Sequence, residues 1–263
     1  MTAWRDGRVA RDERRLAEEA AVAISYNGST HAVLMATPDD LEDLAVGFSF
    51  TEGIIDQVAA IENIAIVSYD SGLDVQIRVS SDISERLARR RRTMAGPVGC
   101  GLCGLESLDA ATRTLPPVDA SVTFPAEGIA MAARSLAELQ PLNASTGAVH
   151  AAGFFMPTGA LAVVREDVGR HNALDKLVGA LLRDGLEASS GGFVVTSRVS
   201  VELVQKTALA GCGLLAAISA PTALAIRTAT EAGVTIAAVV RGADFEVFSH
   251  PRRITTGALA DVA

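Results

Sequence analysis

Two cysteines three positions apart, in Cys100-Gly101-Leu102-Cys103, carry the sharpest chemical signal in the sequence. A thiolate is both a nucleophile and a metal ligand, and two thiols at this spacing can stabilise each other or exchange. Three uses compete: a redox dithiol, half of a zinc site, and an acceptor for persulfide sulfur. Four glycines between positions 96 and 104 suggest a mobile loop, which argues against two inert buried thiols. A thioredoxin-type dithiol belongs where a strand meets a helix, and this stretch does not read that way. A structural zinc site needs four ligands, and no second cysteine pair exists. Cys212, between Gly211 and Gly213, reads as a small filler between a helix and a strand.

Three further clusters could bind or orient a ligand. The run from Arg165 to Lys176 crowds six charged residues and His171 at the start of a helix that follows a strand. Backbone N–H groups there can hold an anion, while the plain reading is a well-capped helix with surface ion pairs. His150 sits beside a strand, where a histidine is more often a hydrogen-bonded core residue than a ligand. The segment Val239-Val240-Arg241-Gly242-Ala243-Asp244 ends a strand. Ligands of open α/β sheets bind beyond such ends. Arg241-Gly242 could face a phosphate there, and Asp244 could accept from a base edge. The helix starts at Ser200 and Pro221 open towards the same edge, with Arg198 close by. Arg89 to Arg92 form a basic run, read as a solvated face or as a site for phosphates or an acidic partner.

The elements that must position these groups follow from pattern. Residues 1–16 are charged and aperiodic and read as a flexible tail. Two alternating stretches flank Asn27-Gly28, whose positive φ angles suit a two-residue hairpin turn. Thr37 is placed to cap a helix with Pro38 at its first position. Leu41, Leu44, Ala45 and Phe48 form its apolar face, and Gly53 ends it. Strands are predicted over 61–67 and 73–79, and the stretch 81–105 is read as irregular. Pro116-Pro117 and Pro125 frame an expected linker. The expected organisation is a tail, an N-terminal α+β domain over 17–115 that ends in the Cys-x-x-Cys loop, and a C-terminal α/β cofactor-binding domain over 116–263. In the latter, apolar strands alternate with helices, which implies a mainly parallel sheet covered on both faces.

Composition sets outer limits. The chain has 263 residues, 49% of them hydrophobic, enough for a sizeable core. A net charge of −8 lacks the field that gathers nucleic acid. No signal peptide and no long apolar span is evident, so a cytoplasmic protein without a membrane role is expected. An odd cysteine count argues against a disulfide framework.

Taken in order, these clusters resemble the FdhD family, the formate dehydrogenase accessory sulfurtransferases. The matching stretches are Thr37 to Phe48, Thr51 to Ile55, Cys100 to Gly104, Thr146 to Ala152, Arg165 to Lys176, Ser197 to Lys206 and Ser219 to Thr222. The resemblance implies a cytidine-deaminase-like three-layer C-terminal domain and a homodimer. It implies persulfide sulfur accepted from a cysteine desulfurase and passed to the molybdenum or tungsten bis-guanine-dinucleotide cofactor before formate dehydrogenase receives it. That cofactor would be a ligand in transit, with no permanently bound cofactor and no resident metal. Cys100 would bear the persulfide and Cys103 would be its partner. Val239 to Asp244 would bind the cofactor, with Arg198 and His150 beside it. Val239 departs from the family, where an aromatic residue is usual, so stacking there does not follow.

Two rivals remain at this stage. A zinc-dependent deaminase wants His-x-Glu followed by Pro-Cys-x-x-Cys. None of the four histidines begins His-x-Glu, and Gly99 precedes Cys100. A non-catalytic chaperone that only delivers the cofactor is the other.

Overall fold

The computed structural model describes residues 1–11, 13–94 and 115–255. Cys100, Cys103 and their glycine-rich surroundings lie outside the described residues. Thr2–Arg5 (β1) and Arg8–Arg11 (β2) pair antiparallel across Asp6-Gly7, both at positive φ, so the expected tail holds a small hairpin. Sequence periodicity missed it because each strand is only four residues long.

A four-stranded sheet follows, in the order β4-β3-β6-β5. It is built from Ala20–Tyr26 (β3), Ser29–Ala36 (β4), Ile61–Tyr69 (β5) and Gly72–Val79 (β6). Asn27 and Gly28 lie at φ 46° and 79° and make the predicted hairpin turn. Val22, Ile24, Tyr26, Val75 and Ile77 face a helix, Leu41–Thr51 (α1), and form a buried core with its Leu41, Leu44 and Phe48. Gly53 ends that helix at positive φ, as expected. Thr37 does not cap it. The cap position is Asp40 in left-handed conformation, and Thr37 bonds instead to a distant segment described below. Ser81–Met94 is helical (α2), so the stretch read as irregular contains a helix that includes Arg89 to Arg92. Arginine is a good helix former, and the run ends no helix by itself.

The second half is a six-stranded sheet with helices on both faces. After Phe124–Pro125 (β7) come Ala126–Glu138 (α3), Pro141–Thr146 (α4), His150–Phe155 (β8), Leu161–Asp167 (β9) and Arg170–Asp184 (α5). Gly192–Val195 (β10), Val201–Leu209 (α6), Leu214–Ala217 (β11), Ala223–Ala232 (α7), Thr235–Arg241 (β12) and Asp244–Ser249 (β13) complete it. A last pair, Ile254–Thr255 (β14), lies parallel to β7. The sheet order is β13-β12-β11-β10-β8-β9.

Alternation on the central strands fixes the three layers. Phe193 and Val195 pack with Leu174, Leu177, Leu203 and Ala225 from α5, α6 and α7 on one face. Val194, Leu214 and Ala216 meet Ile129, Ala133 and Leu136 of α3 on the other. Each wholly buried Phe or Leu contributes roughly 1.5–3 kcal/mol here. The sheet is mixed rather than mainly parallel. Only the β10–β11 and β11–β12 pairs are parallel, and β8 and β13 run against the other four strands, because β8–β9 and β12–β13 are joined by turns too short for a crossover. The proline-framed stretch is no free linker either. Val118 donates to Ala232 at 2.8 Å, and the buried Arg253 donates to the carbonyls of Val118 and Ala120.

Candidate functional site

The carboxyl edge of β10, β11 and β12 brings together residues that are far apart in sequence. Because β8 runs antiparallel to β10, its first residue, His150, lies at that edge beside Thr196. The Thr196 hydroxyl accepts from the Ala151 N–H at 3.0 Å and lies 3.4 Å from His150 Nδ1. His150 also stands opposite Asp167, the last residue of β9. Its pKa is pushed below the ordinary value, first by burial and then by the positive charge of Arg170, with Asp167 opposing. Arg198 is exposed in the connection from β10 to α6.

At β12 the chain departs from regular geometry. A bulge falls between Ala238 and Arg241, and Val239 sits at φ 57°. Positive φ in a β-branched residue is a true outlier, costing on the order of 1–3 kcal/mol. Such strain collects at functional edges. The bulge leaves Val240 buried and carries Arg241 out beyond the neighbouring strands. There the Arg241 guanidinium donates to the Ile218 carbonyl, and to its neighbour Val240 O at 2.7 Å. Gly242, at φ 62°, turns the chain, and Ala243 and Asp244 are exposed. The structure therefore places His150, Arg198 and Val239 to Asp244 on one edge.

Sequence reasoning missed Thr196, and it held the Arg165 to Lys176 run, with Arg170 and His171, as an anion-binding candidate separate from the strand-end site. The turn Pro157-Thr158-Gly159 was the available signal. It makes β8 and β9 a hairpin, which puts Asp167 opposite His150 and the start of α5 beside them. His171, in the first turn of α5, places Nε2 3.4 Å from Ser200 Oγ and 3.6 Å from Glu202 Oε2. Its pKa falls to about 4, chiefly through burial and then through Arg170, while Glu202 pulls the other way. Between pH 4 and 6.5 the unfolded chain therefore holds a proton on His171 that the folded chain does not, and stability falls as pH is lowered through that window. Glu202, held below its ordinary pKa, adds to the loss at the acid end. Urea midpoints measured across this range should decline less steeply for His171→Asn than for the natural chain. Coincident profiles would contradict the assignment.

Beneath the edge lies a buried polar layer. Asp167 Oδ2 meets Lys176 Nζ at 2.7 Å and the Thr37 N–H at 3.0 Å, and its Oδ1 accepts from the Gly169 N–H and the Asn172 amide. Lys176 also donates to the Thr37 carbonyl, and the Thr37 hydroxyl accepts from the Val168 N–H. A second set joins Lys206 to Asp175, Glu52 and Thr51. The charges read as surface ion pairs are thus largely internal, and they tie α1 and its approach to α5. Cys212 is buried as expected, its thiol pushed up to about 12 by burial.

Fold and site define an α/β protein with a helix–sheet–helix layering and a carboxyl edge that gathers polar and cationic side chains. Residues 17–255 match the FdhD/NarQ family, and the chain belongs to it. A relative named sulfur carrier protein FdhD from Agrobacterium fabrum is 55% identical over 255 residues, covering 96% of this chain and 94% of its own. Proteins of the same name from Bordetella petrii and Cupriavidus necator are 50% and 47% identical, covering 91% and 97% of this chain and 86% and 88% of their own. The fold is that of a crystal structure from Desulfotalea psychrophila, provisionally called a formate dehydrogenase accessory protein, at TM-score 0.76 and 26% identity over 97% of both chains. Among the described residues, no helix is long and apolar enough to cross a membrane.

Proposed function

We propose that this chain carries sulfur for formate dehydrogenase, on Cys100 with Cys103 as partner, and delivers it to a molybdenum or tungsten bis-guanine-dinucleotide cofactor at the carboxyl edge of the large sheet. The names of the relatives support the carrier role. The observation that carries the rest is the gathering of His150, Arg198 and the strained Val239 to Asp244 segment at one edge. That edge offers cationic and hydrogen-bonding groups suited to phosphates and a base.

One transfer balances with the two cysteines, and a cellular thiol reductant must reopen their disulfide before the next. The Cys100 thiolate attacks the outer sulfur of the desulfurase persulfide, and the desulfurase thiol leaves. Handing that sulfur on as sulfide takes two electrons. Cys103 supplies them when its thiolate attacks Cys100 and closes a disulfide. The cofactor is cargo throughout, and the edge holds it while sulfur is exchanged. A homodimer would present two such edges to a ligand with two guanine nucleotides.

Incubation with a cysteine desulfurase and cysteine, followed by intact mass spectrometry, should add one sulfur that maps to Cys100. No adduct on either cysteine would defeat the carrier reading. Cells carrying Cys100→Ala should lack formate dehydrogenase activity, and full activity would favour a delivery chaperone that transfers no sulfur.

A further inference from the structure

Arg170 stands out among the arginines of this half of the chain. Arg165 and Arg183 bind Asp43, and Arg253 donates to three backbone carbonyls. Arg170 Nε is buried and has no hydrogen-bond partner among the described residues. An unmet buried donor costs about 1–3 kcal/mol, and a native fold retains one where something else supplies the acceptor. The nearby carboxylates are engaged elsewhere, Asp167 with Lys176 and Glu202 with Ser200. Arg170 begins α5, three residues after Asp167, which stands opposite His150, and immediately before His171, so it lies at the carboxyl edge, where its charge is felt at His150, His171 and Glu202.

We infer that Arg170, at the start of α5 beside His171, receives the diphosphate of the guanine nucleotide bound at this edge. The inference rests on the cofactor half of the proposed function and names the residue that recognises the charged part of that ligand. A guanidinium presents a planar fork that matches phosphate oxygens, and a charged pair of this kind is about twice as strong as a neutral hydrogen bond. Arg170 is also the first residue of a fifteen-residue helix without an acidic side chain in its first turn, so the backbone adds to the positive potential.

The inference also predicts a linkage. His171 is faced by Arg170 on its own helix, by Ser200, Glu202 and Lys206 of α6 and its cap, and by Glu52 after α1. His150 is faced by Arg170, Asp167 and Thr196. An anion that offsets Arg170 should relieve part of the depression at both histidines.

Calorimetric titration of the full chain with GDP, guanosine and inorganic pyrophosphate tests this. Arg170→Gln should weaken GDP about tenfold or more, which corresponds to one lost charge-assisted contact. It should leave guanosine unchanged. Arg170→Lys, which keeps the charge without the fork, should fall between. Arg252→Gln, an exposed arginine after β13 at the opposite edge, should bind GDP like the natural chain. By proton NMR, pyrophosphate should raise the titration midpoint of His171 in the natural chain. In Arg170→Gln that midpoint should be raised already and should not respond, and the same spectra report whether the variant is folded. Unchanged GDP affinity in Arg170→Gln, or an equal loss of guanosine, would overturn the assignment. A natural chain that binds neither GDP nor pyrophosphate would overturn it together with the cofactor half of the proposed function. Failure of sulfur loading with the GDP results intact would remove the carrier half alone.

Discussion

Asp167→Ala is expected to destabilise the chain by about 3–5 kcal/mol, read as a shift of the urea midpoint. Asp167 and Lys176 are both wholly buried, 2.7 Å apart. Removing the carboxylate leaves an ammonium group in the interior with, among the described residues, only the Thr37 carbonyl as acceptor. It also orphans the Thr37 and Gly169 N–H groups and the Asn172 amide contact. Lys176→Met removes the opposite charge but leaves Asp167 with those donors, so it should cost less. The ordering is the sharper test, because a pair valued only for its attraction would give equal losses. Measured stabilities of domains this size are commonly about 5–15 kcal/mol, so Asp167→Ala should leave a protein close to its limit. Equal midpoints for the two variants would show that the hydrogen bonds to Asp167 contribute little.

The buried layer also marks where sequence reading stopped. The hairpin at Asn27-Gly28, the apolar face of α1 and the alternating strands and helices of the second half were all legible, because each is set by residues a few positions apart. Thr37, Asp167, Lys176 and Asn172 form one cluster across about 130 residues of chain, and nothing local distinguishes them from surface charges. The same holds for the mixed sheet. Strand periodicity reveals which residues are buried but not which way a strand runs, and direction decides that His150 and Asp167 share the edge with Arg198. The positive φ of Val239 had no sequence signature, since valine is among the residues least suited to it. A glycine there would have announced the turn. Val239 at this position instead records strain held in place by the packing around β12.

Gly179→Ala should cost about 3 kcal/mol or more, at or beyond the upper end of the usual penalty for overpacking. α1 and α5 cross where Gly47 meets Gly179. A Cβ on Gly179 would lie 1.9 Å from the Asp43 carbonyl oxygen and 2.8 Å from the Gly47 nitrogen. A Cβ on Gly47 would lie 1.8 Å from the Asp175 carbonyl oxygen. Both obstacles are backbone, so no rotamer change relieves them and the helices must part. Parting them stretches the bonds that span the same crossing, Thr51 to Asp175 at 2.7 Å and Lys176 to the Thr37 carbonyl at 2.9 Å. It also moves the start of α5, and with it Arg170 and His171, relative to Thr196 and Arg198. GDP affinity should therefore fall in Gly179→Ala even under conditions where the protein remains folded. Gly47→Ala should behave alike, and the double variant should lose less than the sum, because helices already separated by one methyl group admit the second. Strict additivity, or a Gly179→Ala protein that melts like the natural chain, would mean that the crossing yields without separating and that the position of α5 does not depend on it.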